Sequence, residues 1–209
     1  MPQVKKPDKR EAILEAAFGL FSRKGFTATT MAEIARIANT TVANLYVYFP
    51  SKIVILDEVY RPWLVQQLTA LQVSVEKFRS PHSRLQRIFV GVWGDIPAAD
   101  HCFADALMEA LAAAPRRSGK PSDLLVWCEN FLTQLIVDSL PEERRGLFAD
   151  RLMTHAIWMA FDGFAINRRV GDVRDIGRIA DLFAHLLLGT SVAVKPDEMR
   201  GRPRARTRP

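Results

Sequence analysis

Residues 40–52 read Thr-Thr-Val-Ala-Asn-Leu-Tyr-Val-Tyr-Phe-Pro-Ser-Lys, which gathers Asn44, Tyr46, Tyr48 and Lys52 beside the small apolar Val42 and Ala43. These residue types suit contact with a patterned polyanion. A carboxamide such as Asn44 can pair with adenine, and Val42 or Ala43 can meet a thymine methyl. Tyr48, Lys52 and the free amides at the start of a following helix can hold phosphates. Other residues raise the question of an enzyme. His101 and Asp105 stand four apart, the spacing of metal ligands, or of a base and its orienter, on one helix face. His155 sits among apolar positions. The first pair has no third ligand at useful spacing, and there is no Cys pair, Gly-rich phosphate loop or nucleophile motif. The expectation is no catalytic residue, no metal and no cofactor. A helical bundle carrying a metal or cofactor, and a helical interaction module, are the alternatives.

Helices must position these residues. Gly25, Asn39-Thr40, Pro50-Ser51, Ser80-Pro81, Ile96-Pro97, residues 115–122, Leu140-Pro141 and Gly171-Asp172 divide the chain into about nine segments. Between the breaks apolar spacing is helical: Leu14, Ala17, Phe18 and Phe21 make one face, and Met31, Ile34, Ala35 and Ala38 another. No stretch alternates with period two, so the fold class is all-α. The first helix spans Asp8 to Lys24. Thr30-Met31-Ala32-Glu33 has the form of a capping box that opens a second helix. That helix ends near Ala38, where Asn39 tolerates a left-handed backbone. Thr40 or Thr41 caps a third helix running to about Val47. Two helices joined by so short a turn form a helix-turn-helix. Ser51 caps a fourth helix containing Pro62, which is expected to bend or interrupt it.

Charge is unevenly spread. Lys5, Lys6, Lys9, Arg10, Arg23, Lys24, Arg36 and Lys52 oppose only Asp8, Glu11, Glu15 and Glu33 in residues 1–52, and residues 195–209 are again basic. Between them the chain is close to neutral, so the ends are expected to meet a polyanion. With 48% hydrophobic and 25% charged residues the bulk of the chain has the composition of a folded domain. Two cysteines, no signal sequence and no long uncharged apolar run lead to the expectation of a cytoplasmic protein without a membrane partner.

Residues 20–52, Leu-Phe-Ser-Arg-Lys-Gly-Phe through Tyr-Phe-Pro-Ser-Lys, resemble the DNA-binding domain of the tetracycline-repressor (TetR) family of transcriptional regulators. Phe21, Gly25, Phe26, Thr29, Thr30, Ile34, Ala35, Leu45, Tyr46, Tyr48, Phe49, Ser51 and Lys52 follow the family pattern in order and spacing. Asn39 replaces the usual turn glycine, and Val42 and Val47 stand where polar residues are frequent, which alters the expected operator sequence. The resemblance implies a regulator, most simply a repressor released from operator DNA by a small molecule. Its DNA contacts are expected at Thr30, Thr41, Val42, Ala43, Asn44, Tyr46, Val47, Tyr48 and Lys52.

The resemblance also divides the chain into a DNA-binding domain (1–52), a helical ligand-binding and dimerisation domain (53–190) and a basic tail (191–209). Trp93, Phe103, Met108, Trp127, Phe131, His155, Trp158 and Met159 are the expected lining of an apolar effector cleft. The last two helices, about Glu142–Arg169 and Arg174–Leu188, are expected to form a homodimer, with Ala156, Ala160 and Gly163 permitting close approach. In the tail, Arg200-Gly201-Arg202-Pro203 resembles the core of an AT-hook, a minor-groove motif. The alternative for the tail is non-specific, salt-sensitive affinity.

Overall fold

A computed structural model describes residues 9–99, 103–113, 123–171 and 174–191. The basic tail and His101 lie outside these residues, as does any statement about the AT-hook-like segment. The described residues form α1 (Lys9–Lys24), α2 (Met31–Ile37), α3 (Val42–Tyr48), α4 (Lys52–Val75), α5 (Pro81–Val90), α6 (Ile96–Ala98), α7 (Phe103–Ala113), α8 (Asp123–Val137), α9 (Leu152–Arg169) and α10 (Ile176–Leu188). A π-helical stretch, Gly91–Asp95, joins α5 to the three-residue α6 without a break in helical structure. No strand occurs among the described residues, and no helix there is long and apolar enough to cross a membrane.

Local hydrogen bonds explain the first three helices. Thr30 accepts from the Glu33 amide while the Glu33 carboxylate accepts from the Thr30 amide, the reciprocal capping box that starts α2. Asn39 stops that helix at φ +50°, with its own amide donating to Arg36 O and the Thr40 amide donating to Ala35 O. This is a Schellman closure with asparagine in the left-handed position. Thr41, rather than Thr40, caps α3 by accepting from the Asn44 amide. The inward face of α1 is Ile13, Ala16, Ala17, Leu20 and Phe21. Phe18 is half a turn off that face and exposed, contrary to expectation.

Three other expectations are corrected. Of the two outcomes expected at Pro62, interruption does not occur, since α4 runs through it for 24 residues. The long helix expected from Glu142 starts only at Leu152. Before it, Glu142–Phe148 is a 3₁₀ segment, and Arg151 takes φ +61°. The segment turns aside because Phe148 is buried and Arg144 donates to Leu186 O and Leu187 O, supplying cationic donors to the C-terminus of α10. The last helix likewise begins at Ile176, with Asp175 as its cap.

Packing concentrates on Trp93. Its indole stacks on Phe89 with centroids 4.7 Å apart, meets Phe183 and Phe164, and donates to Ile157 O in α9 at 3.0 Å. Gly91, two residues earlier, permits close contact with α4. A Cβ there would lie 2.3 Å from a methyl of Leu71. The connecting helix is thus seated directly on the core of the body.

Candidate nucleic-acid interface

The third helix separates its residues by side. Leu45 and Phe49 are buried against Ile34, Ala35 and the inner face of α1. Opposite them Thr41, Val42, Ala43, Tyr46, Val47 and Tyr48 are exposed, Val47 by 80%. A β-branched residue so exposed has no role in the core. The first turns of α3 therefore present a small apolar and hydroxyl-bearing face, of the width that enters a major groove.

Two expected contacts need revision. Asn44 is half-buried, and its Nδ2 donates to Thr40 Oγ1 at 2.8 Å, across the turn that sets the helix. Its carboxamide is oriented by Thr40 rather than standing free. Lys52 differs more. Its Nζ donates to Phe26 O at 2.6 Å and Thr29 O at 2.7 Å and lies 4.1 Å from the Phe26 ring centroid. Burial pushes its pKa below the usual lysine value. Lys52 clamps the loop after α1 with two of its three N–H donors. That loop has no regular structure, and its carbonyls need a donor.

The same loop is held elsewhere. Thr29 is buried, with Oγ1 donating to Gly25 O at 2.7 Å. Gly25 takes φ +79°, and a side chain there would meet the Glu109 carboxylate. Glu109, from α7, accepts from the Thr27 amide at 2.7 Å. Arg10 ties α1 to α4 through Glu58 at 2.7 Å and lies over Phe49. Thr30 is exposed, with its hydroxyl shared between capping and the Glu33 carboxylate. Lys24 pairs with Glu33 at 2.6 Å and, with Thr30, lowers the Glu33 pKa to about 2. Arg36, exposed in the last turn of α2, adds a cation on the helix that crosses the DNA backbone in this motif. Arg36 was not among the expected contacts, although its place three after Glu33 puts it on the outer side of α2.

Residues 13–59 match the family model described as bacterial regulatory proteins, tetR family. The DNA-binding part of this chain is thus similar to that of the TetR family. The chain is 37% identical over 110 residues to the HTH-type transcriptional regulator RutR of Escherichia coli K12, covering 51% of this chain and 50% of RutR. With the HTH-type transcriptional repressor KstR2 of Mycobacterium tuberculosis it shares 30% identity over 115 residues, covering 53% and 56%. The match spans about half the length of these curated relatives. The fold extends further. The crystal structure of Thermus thermophilus FadR, a TetR-family repressor solved with lauroyl-CoA, superposes with a TM-score of 0.58 at 22% identity, covering 90% of this chain and 97% of that one.

Within this fold the expected effector residues differ in exposure. Trp93 is 2% exposed, and its indole is fully engaged in the core stack. Trp158 is buried on Phe161, and Trp127 and Phe131 stack in half-buried positions on α8. Met108 is half-buried in α7, the helix that also carries Phe103, whose side chain is outside the described set. His155 and Met159 are corrected outright. They lie on the outer face of α9, where His155 pairs with Glu129. The helical period explains this: Thr154, Ile157, Trp158 and Phe161 form the buried side, and residues 155 and 159 point the other way. Cys128 is buried and its thiol is pushed up to about 12, so it is an inert packing group.

Proposed function

We propose that this protein is a homodimeric, sequence-specific DNA-binding repressor that a small-molecule ligand releases from its operator. The observation that carries the reading is the exposed α3 face of Thr41, Val42, Ala43, Tyr46 and Val47, set by the Asn39 turn and braced by Lys52. Thr41 and Ala43 approach base edges with Val42, Asn44 adds a base contact in the orientation Thr40 sets, and Tyr48 meets phosphate. The α4 N-terminus, where Ser51 makes no side-chain cap, supplies amides for a further phosphate.

Support for the dimer lies on α9. Leu152, Ala156, Met159, Gly163, Ile166 and Val170 recur at alternating spacings of four and three, the seam of a helix pair. Leu152, Met159, Ile166 and Val170 are exposed in the single chain, and nothing lies within 4 Å of where a Gly163 Cβ would be. Leu182 and Leu186 continue the apolar surface on α10. An apolar surface of this kind calls for a partner, and a second copy through α9 and α10 fits it.

The ligand acts through contacts between body and DNA-binding helices. Glu109 on α7 holds the loop after α1, and Leu71 against Gly91 seats α4 on the core. A ligand that prefers another placement of α7 or α4 would shift the two reading helices relative to each other. The half-buried Trp127–Phe131 pair favours an apolar ligand, and the lauroyl-CoA bound by the FadR of shared fold makes long-chain acyl thioesters the first class to test. Acyl-CoAs of increasing chain length would be titrated into a protein–operator complex followed by fluorescence anisotropy. The reading predicts release by those chain lengths that also raise Tm. Ligands that raise Tm and leave operator affinity unchanged would overturn it.

A further inference from the structure

We propose that His82, Asp181 and His185 form a binding site for a borderline divalent metal ion such as Zn²⁺. Asp181 and His185 lie one turn apart on α10, and His82 opens α5, which packs along α10 in the opposite direction. His82 Nε2 is 3.1 Å from His185 Nδ1 and 3.2 Å from Asp181 Oδ1, and His185 Nδ1 is 3.7 Å from Asp181 Oδ2. Two imidazole nitrogens and a carboxylate therefore converge on one point. A tetrahedral ion with bonds of about 2.0–2.1 Å separates neighbouring ligand atoms by about 3.3 Å. The observed separations of 3.1–3.7 Å lie near that value, with a different Asp181 oxygen facing each histidine.

The chemistry of the convergence supports this reading. Two ring nitrogens facing each other at hydrogen-bond distance share a single proton or a single ion. His185 Nδ1 also lies 2.9 Å from the Asp181 carbonyl, and an ion bound at Nδ1 would replace that hydrogen bond. Nitrogen plus carboxylate donors suit zinc, cobalt and nickel more than calcium or magnesium. The side chains are 23–39% exposed, which leaves an entry path and a fourth position for water. The sequence hid this group because His82 and His185 are 103 residues apart and meet only through α5–α10 packing. A bound ion would pin the start of α5 to the end of α10, next to the exposed Leu186.

The test uses tag-free, full-length protein stripped with chelator and titrated with Zn²⁺ by calorimetry, alongside thermal melts and the visible spectrum with Co²⁺. The expected result is one ion per protomer, a Tm rise of a few degrees at saturation, and cobalt bands of nitrogen and oxygen ligation. His82→Gln and His185→Gln should each weaken binding by about tenfold or more. The conservative Asp181→Asn, which keeps the side-chain shape, should weaken it as well, so that loss of binding is not confused with loss of fold. Absence of binding by the wild type, equal binding by all three variants, or a thiolate-to-cobalt band assigning the ion to a cysteine would each overturn the proposal.

Discussion

The Thr27 main-chain amide donates to the Glu109 carboxylate at 2.7 Å, joining the loop after α1 to α7 across 82 residues of chain. The contact links a DNA-binding helix to the body without passing through the covalent connection in α4. Glu109→Ala should keep operator affinity within a few fold and reduce the effector's ability to lower it. Couplings of this kind are worth about 1–3 kcal/mol, or 5–150-fold in affinity. Operator Kd measured with and without effector decides the matter. A ratio unchanged from wild type would show that the strut carries no signal.

Lys52 gives a prediction that separates clamp from phosphate contact. Lys52→Met removes two charge-assisted hydrogen bonds to the loop carbonyls, each kind of bond being worth about 1.5–3 kcal/mol. Denaturant unfolding should show a loss of about that size. The salt dependence of DNA binding should keep its slope, whereas loss of a phosphate contact lowers it by about 1. A slope reduced at unchanged stability would return Lys52 to the DNA.

Glu33 should make the start of α2 sensitive to acid. Its pKa falls from an ordinary 4.5 to about 2, chiefly through Lys24 and then Thr30. A carboxyl depressed on folding stabilises fully above its unfolded pKa, and the contribution fades as pH falls from about 4.5 towards 2. Stability measured across that window should therefore drop less steeply in Glu33→Gln than in wild type. Parallel curves would show that the pair does not act in solution.

How much of this was legible beforehand depends on the range of the interactions. The capping box of Thr30 and Glu33 and the left-handed Asn39 are closed within a few residues, so spacing alone reveals them, and it narrows the cap of α3 to Thr40 or Thr41. Lys52 reaches 26 residues back to Phe26 and Glu109 reaches 82 back to Thr27. No local pattern records such reach. The apolar body was legible as helices, but not as inside and outside. Trp93 and Met159 look equally suited to a cleft until packing buries the first and exposes the second. The 3₁₀ turn at Glu142–Phe148 escaped because its cause, Arg144 closing α10, lies 42 residues or more downstream.

The apolar seam on α9 and α10 predicts the oligomeric state. Met159→Glu together with Leu186→Glu would place four carboxylates in a dimer interface built from two copies. Sedimentation should show monomers, and operator affinity should fall by two orders of magnitude or more because half-site binding loses its tether (an effective-concentration effect of about 10²–10⁴). A variant that stays dimeric would place the interface elsewhere.

The most direct measurement is selection of bound sequences from a random double-stranded DNA pool by the full-length protein. Two α3 helices related by a dimer axis should reach successive major grooves about 34–36 Å apart, so the enriched motif should be a palindrome with that half-site spacing. Asn44→Ala should relax selection at one or two base pairs per half-site, by about 1–3 kcal/mol. A pool that emerges with no enriched motif would contradict the account.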